Sequence, residues 1–289
     1  MRLKLRFRFE EEHAPGLWLA YRLGSVLRQE RTAYQELAVV ETEAFGRTLI
    51  LDGAVQTSER DEFFYHEMIT HVPMFTHPYP RRVLVVGGGD GGVVREVLKH
   101  PTVEKVDLVE IDARVLDSAR EFLPFLADSL EDPRVNVVVE DGVKFVAACE
   151  AAYDVAIVDS TDPVGPAVGL FRPEFYASLA RVLEPGGIFT CQVESPFFRP
   201  DVLVKARQVI GQYFPVTRIY WGPVPTYPAG WWGYASGSHG PDPARLPDEH
   251  RLDGIVTRYY TRETHRAAFA LPRYLQEMLA RQAAPSGGG

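Results

Sequence analysis

The chain has 289 residues, with 31 Lys+Arg against 39 Asp+Glu, a net charge of −8 and a pI near 5.5. That balance excludes nucleic acid as a partner, because a phosphate backbone is bound by clustered basic charge, and it disfavours an anionic membrane surface for the same reason. With 46% hydrophobic and 24% charged residues the composition is that of a globular chain with a large core, so disorder and fibrous architectures are excluded.

No apolar run approaches the roughly 20 residues of a spanning helix. The N-terminus sets Arg2, Lys4, Arg6 and Arg8 between apolar residues, where a signal peptide has an unbroken apolar block. A soluble, cytoplasmic chain is expected. Cys149 and Cys191 are the only cysteines, and neither has a second thiol or a His at metal-ligand spacing, so neither a disulfide framework nor a zinc site is indicated.

Residues 1–60 read as a small antiparallel β domain. Leu3 to Phe9 alternates, Ala38 to Thr42 follows, and Thr48 to Leu51 runs into the turn Asp52-Gly53. Asp61 to His71 reads as a helix, with Pro73 and His77-Pro78-Tyr79-Pro80 breaking the pattern, and the domain join falls near residue 60. Residues 61–283 then alternate strand and helix signals. Strands are predicted at Val83–Val86, Val106–Val109, Val135–Val139, Val155–Val158 and Ile188–Val193, and helices at Val93–His100 and Ala113–Phe125. Short β-branched runs separated by amphipathic helices predict a parallel sheet covered on both faces, an α/β Rossmann-like core. Residues 284–289 read as a disordered tail.

Val83–Val86 leads directly into Gly87-Gly88-Gly89-Asp90-Gly91-Gly92 and then a helix. Gly87, Gly89 and Gly92 satisfy G-x-G-x-x-G in its strand-to-helix context, and Glu110 stands at the end of the next strand, where an acid accepts ribose hydroxyls. A nucleoside is expected there. Ligands of open α/β sheets sit at the carboxyl ends of the strands, and here those ends are acidic: Asp90, Glu110 and Asp112, Glu140 and Asp141, Asp159 and Asp162. A dinucleotide pyrophosphate would be repelled by Asp90, which leaves a nucleoside without phosphates, an S-adenosyl compound. The turn Glu184-Pro185-Gly186-Gly187 resembles one common in class I methyltransferase folds. An Asp aimed at the amino acid tail suits an ammonium group without a carboxylate, as in decarboxylated S-adenosylmethionine; turned outward, Asp90 caps the helix.

Asp159 and Asp162 follow the fourth strand, and Pro163-Val164-Gly165-Pro166-Ala167 reads as a loop over the active site. Carboxylates converging with aromatic rings suit a cationic amine, and Tyr65, Tyr227, Trp231, Trp232 and Trp18 are the candidate rings. An alkyl ammonium with a pKa of about 10.4 must lose a proton before it attacks, which asks for a carboxylate base. Asp159 is the candidate. The segment Tyr65-His66-Glu67-Met68-Ile69-Thr70-His71 lacks the H-E-x-x-H spacing, so no metal is expected and His66 reads as a hydrogen-bonding lining residue.

From Leu17 to Leu279 the chain resembles the polyamine aminopropyltransferases, in particular bacterial spermidine synthases. The motifs that carry this are Thr32 to Gln35, Leu51 to Gln56, Glu59 to Glu67, the Gly87–Gly92 loop, Asp159 to Ala167, Pro225 to Gly230 and Tyr259 to Phe269. The resemblance implies that Gln35, Glu110, Asp141, Gly142 and Pro166, with Gly87 and Gly89, hold the nucleoside of decarboxylated S-adenosylmethionine. It implies that His66 and Asp90 hold the aminopropyl chain or the polyamine, that Asp159 is catalytic with Ser160 and Thr161 beside it, and that Asp162, Tyr65 and Tyr227 contact the diamine. It also implies a methyltransferase-type core behind a small β domain, a homodimer or homotetramer, and no cofactor beyond the donor as co-substrate. The acceptor expected is putrescine, favoured over agmatine by the form Gly165-Pro166-Ala167; cadaverine, agmatine or spermidine as acceptor, and methyl transfer from S-adenosylmethionine, are the alternatives. Ala229, where the family more often has Ser, and the extra Trp in Trp231-Trp232-Gly233-Tyr234 are departures at the far wall of the pocket.

Overall fold

The computed structural model describes residues 7–150, 152–161 and 165–283. Asp162 and the proposed tail at 284–289 lie outside the described residues, as do Leu3 to Arg6 of the first predicted strand.

Five antiparallel strands in consecutive order form the N-terminal sheet: β1 (Phe7–Ala14), β2 (Leu17–Arg31), β3 (Glu36–Thr42), β4 (Gly46–Leu51) and β5 (Ala54–Ser58). Asp52 and Gly53, at φ 47 and 80, make the tight turn between β4 and β5. The long β2 escaped the sequence reading because it is exposed on most positions and carries no regular apolar alternation.

Helix α1 (Glu62–Thr76) leads into the second sheet and runs through Pro73, where the sequence suggested a stop. An interior proline costs roughly 3 kcal/mol. All but two of the helix's fifteen residues are buried, and that packing outweighs the lost backbone bond. Next come β6 (Arg82–Gly87), α2 (Gly92–Leu98), β7 (Lys105–Glu110), α3 (Ala113–Phe122) and α4 (Pro124–Ala127). The predicted helix from Ala113 to Phe125 is thus two helices, because Pro124 forces Leu123 out of the helical region, at φ −123 and ψ 48. The core continues with β8 (Val135–Val139), α5 (Gly142–Ala148), β9 (Tyr153–Asp159), α6 (Pro173–Val182), β10 (Leu183–Gln192), α7 (Pro200–Ile210), β11 (Val216–Pro223), β12 (Trp231–Ser238), α8 (Arg262–Ala268) and α9 (Arg273–Ala283).

The second sheet has the order β11-β12-β10-β9-β6-β7-β8. The five strands from β10 to β8 are parallel, while β12 and β11 extend the sheet antiparallel at one edge. The sheet is therefore mixed, not wholly parallel as its first half suggests. Alternation along the strands explains the unbroken apolar runs. Val83, Val85, Val106 and Leu108 join α1 and α2 in one core, and Leu84, Val86, Val109 and Val158 join α6 and α7 in another. A third cluster packs Leu37, Val39, Leu49 and Leu51 of the first sheet on Val115, Leu123 and Leu126, which fixes the β unit against the core. β6 lies between β7 and β9, so the chain order reverses there, and a crevice opens beyond the strand ends.

Candidate active site

That crevice is a cleft of about 400 Å³. Gln35, Gly87, Gly89, Glu110, Asp141 and Gly142 line one part of it; Tyr65, His66, Asp90, Asp159 and Tyr227, with Ser160 and Thr161, line the other. The residues assigned to donor and amine by resemblance, where their side chains are described, therefore share one cavity, while Asp112 of the strand-end acids lies outside its lining. Pro166 lies in a 3-10 turn, Gly165–Phe171. Glu140 is exposed and off the cleft, Trp18 is 56% exposed on the β hairpin, and Trp231 packs at a tilt against Trp221; none of the three lines the cavity. Of the five candidate rings, Tyr65, Tyr227 and Trp232 line it.

The end of the cleft at the glycine loop is shaped by backbone. Gly87 has φ 78, and a side chain there would collide with the Asp159 carbonyl, so the glycine lets β6 and β9 end side by side. Glu110 at the end of β7 is held by two amides, accepting from Asp112 N at 2.9 Å and Gly89 N at 3.2 Å. Burial lifts its carboxyl to about 7, with Asp112 and Asp159 adding to the rise against the two amide bonds. Asp112 and Asp141 cap α3 and α5. Gln35 is fixed by its Nε2, which donates to Asp112 Oδ2 at 2.9 Å, and Thr32 Oγ1 donates to the same oxygen at 2.7 Å. Thr32 to Gln35 is thus the arm by which the β unit reaches the glycine-loop end of the cleft.

The other end of the cleft is a cluster of side chains. One polar atom each from His66, Asp90 and Asp159 lie within 4.8 Å of one another. Asp90 uses Oδ1 to accept from Gly92 N at 2.8 Å, a local bond across Gly91, which is itself the N-cap of α2 and leaves the helix without a side-chain cap, so the capping alternative does not hold. Its other oxygen faces into the cluster, 3.5 Å from His66 Nε2. Tyr65 donates to Asp159 Oδ1 at 2.7 Å. Burial pushes Asp159 up to about 6, and Asp90 adds to this, while His66 and Tyr65 pull the other way. Burial also holds the Tyr65 and Tyr227 hydroxyls well above their usual range. Tyr227 donates to Gln56 O. Its loop is pinned by Asp61, which accepts from Thr226 N at 2.8 Å, and by Tyr21, which donates to Thr226 O at 3.1 Å.

Sequence reasoning missed several residues here. Gln192 of β10 donates to the carbonyls of Ser160 and Thr161 at 3.3 Å each, anchoring the start of the loop after β9. Glu194, at φ 61, and Glu11 of β1 also line the cleft. No local pattern marks them. Glu67 of the quoted Tyr-His-Glu motif points away from the cleft and accepts from the backbone amides of Arg258, Tyr259 and Tyr260 at 2.7, 2.8 and 2.7 Å, which explains why the Tyr259-Tyr260 segment belongs with it.

A doubly covered α/β core with an acidic crevice beyond its strand ends, joined to a five-stranded β unit, is the class this fold and cleft define. Comparison with known proteins gives the family. The spermine/spermidine synthase domain matches residues 62–245, and the spermidine synthase tetramerisation domain matches residues 8–59. The polyamine aminopropyltransferase of Moorella thermoacetica is 53% identical over 271 residues, covering 94% of this chain and 95% of that one. That of Bacillus subtilis is 47% identical, covering 94% and 98%. A spermidine synthase solved in complex with the transition state analogue AdoDATO superposes with a TM-score of 0.92 at 38% identity, covering 95% of each chain. The spermidine synthase of Thermotoga maritima gives 0.92 at 37%, covering 97% of this chain and 96% of that one. The chain belongs to the spermine/spermidine synthase family, and it is a transferase.

Proposed function

We propose that this protein moves the aminopropyl group of decarboxylated S-adenosylmethionine to putrescine, giving spermidine and 5'-methylthioadenosine. The observation that carries the reading is the Asp90–His66–Asp159 cluster at the end of the crevice: two carboxylates and one imidazole, His66 and Asp90 buried and Asp159 partly so, with Tyr65 bonded to Asp159. The amine nitrogen forms a bond to the carbon next to the sulfonium, the C–S bond breaks, and its electron pair neutralises the sulfur. The ammonium proton leaves to Asp159 before or during attack. A carboxylate raised to about 6 is a better base than an exposed one and is still ionised at neutral pH. Deprotonating an amine with a reference pKa of about 10.4 costs roughly 4 to 5 kcal/mol at pH 7, and desolvation in the cleft reduces that cost.

In this reading Gln35, Gly87, Gly89, Glu110, Asp141, Gly142 and Pro166 hold the donor. His66, Asp90, Ser160, Thr161, Asp162, Tyr65 and Tyr227 hold the transferred chain and the diamine. The donor is a co-substrate, and no cofactor or metal enters the reaction. The five-stranded unit, up to residue 60, serves assembly into a homodimer or homotetramer, supported by the tetramerisation domain it matches and by the exposed Phe7, Trp18 and Val26. A cytoplasmic setting fits the acidic composition, and no helix among the described residues is long and apolar enough to cross a membrane. The test is incubation with the decarboxylated donor and equal amounts of putrescine, cadaverine, agmatine and spermidine, with products identified by mass. Spermidine as the main product supports the reading; another amine's adduct in excess, or a methylated product, refutes it.

A further inference from the structure

Behind His66 lies a buried row of charges that does not line the cleft. His66 Nδ1 is 2.7 Å from Glu62 Oε2, one turn earlier on α1. Arg95 of α2 grips that carboxylate at two points, Nη1 to Oε1 at 3.0 Å and Nη2 to Oε2 at 2.8 Å. The same guanidinium donates from Nε to Glu96 Oε1 at 2.9 Å, and Glu96 is itself held by Lys99 at 2.6 Å and His71 at 2.9 Å. Arg95 therefore bridges two buried acids and cannot swing away from Glu62. On its other side the His66 ring lies over Gly92, where any side chain would run into it.

The geometry fixes the state of the ring. Glu62 faces Nδ1 and Asp90 faces Nε2, so both nitrogens look at carboxylate oxygens. A neutral imidazole has one N–H and would turn a lone pair toward one of those anions; only an imidazolium satisfies both. The groups facing it are Tyr65 and Glu62 on its own helix, Asp90 from the loop after β6, Arg95 through Glu62, and Asp159 of β9 across the cluster. Burial alone would lower His66, yet the two carboxylates outweigh it and lift the ring to about 10.

Taking Asp90 and Asp159 as the amine end, on which this step rests, we infer that Glu62, clamped by Arg95, is a positioning residue that keeps His66 cationic. The amine end then presents two carboxylates against one fixed cation. With His66 neutral, two uncompensated carboxylates would hold the incoming ammonium too firmly in its unreactive protonated form and would favour protonation of Asp159 itself. With the imidazolium in place, the pocket attracts a cation and still lets it give up a proton.

The experiment combines an NMR titration of the histidine rings with kinetics of Glu62→Gln and Arg95→Lys. In the wild-type protein the His66 ring is expected to stay protonated above pH 8. In Glu62→Gln it titrates at least about one unit lower. The acid limb of kcat/KM for the amine then moves upward, kcat at pH 7 falls roughly tenfold, and donor KM stays within about twofold. Arg95→Lys, which keeps the charge and loses the two-point grip, falls between the two. A His66 ring that titrates below pH 7 in the wild type overturns the inference without any variant, so a Glu62→Gln protein that does not fold leaves it decidable. A folded Glu62→Gln protein with an unmoved acid limb overturns it as well. A wild type that aminopropylates no amine instead sinks the functional reading, which separates the two failures.

Discussion

At the nucleoside end the cleft wall is backbone: a glycine loop, two capped helix starts, and Glu110 tied down by two amides. At the amine end the wall is side chains drawn from α1, the loop after β6, β9 and the loop after β11, with Tyr65 and Asp159 meeting across 94 residues of sequence. A backbone cradle is encoded by local spacing and recognises a shape common to many nucleosides. A side-chain cluster is encoded by topology and sets the charge that the reaction sees. The nucleoside end should therefore govern donor affinity, and the amine end turnover and its pH dependence.

The largest expected effect is at Asp159. Asp159→Asn keeps the shape and removes the base, and turnover should fall about 10² to 10⁴-fold while donor affinity, read by calorimetry, stays within about twofold. Near-normal turnover in that variant would remove Asp159 from its role. Glu110→Gln probes the other end. At about pH 8.5, where a carboxyl raised to about 7 is ionised, loss of this charged partner for the ribose hydroxyls is worth roughly 1.5 to 3 kcal/mol, so donor KM should rise about 10- to 100-fold with amine KM little changed. A rise confined to amine KM would mean that the two ends are assigned the wrong way round.

Tyr65→Phe should lower kcat by about tenfold, since the hydroxyl donates to Asp159 Oδ1 at 2.7 Å and holds the carboxylate in one orientation. The same bond helps keep Asp159 ionised, so its loss raises the carboxyl further and shifts the acid limb upward. In the wild type, with Asp159 raised to about 6, the rate should decline as pH falls through that value, because the protonated acid cannot accept the ammonium proton. A rate that stays flat down to pH 5 would contradict the assignment of the base.

The smallest effect concerns Ala229, which stands at φ 62 and ψ 5 in the turn before β12. A left-handed alanine costs about 1 to 2 kcal/mol, part of which glycine gives back in chain entropy. Ala229→Gly should therefore stabilise the fold by roughly 0.5 to 1 kcal/mol, seen as a higher thermal midpoint. A lower midpoint would mean that the turn depends on the methyl group.

What the sequence revealed follows the same division. Gly87, Gly89 and Glu110 were legible because strand, turn and helix signals sit side by side in one stretch. Asp90 was ambiguous from spacing alone, since one carboxylate both accepts from the Gly92 amide at the start of α2 and faces His66. Asp159 was placed by its strand end, but its bond to Tyr65 depends on how α1 crosses β9, which no local pattern states. Gln192, Glu194 and Glu11 reach the cleft only through sheet order and the docking of the β unit. Pro73 misled because propensity is outweighed where a helix is buried on nearly every side.

The central claim is that the amine end is built to receive a cation and to refuse a carboxylate. It is tested most directly by measuring the affinity of the protein for decarboxylated S-adenosylmethionine and for intact S-adenosylmethionine under the same conditions. Asp90 beside the tail predicts at least about tenfold tighter binding of the decarboxylated donor, equivalent to about 1.4 kcal/mol. Equal affinity, or tighter binding of the donor that keeps its carboxylate, would contradict the account.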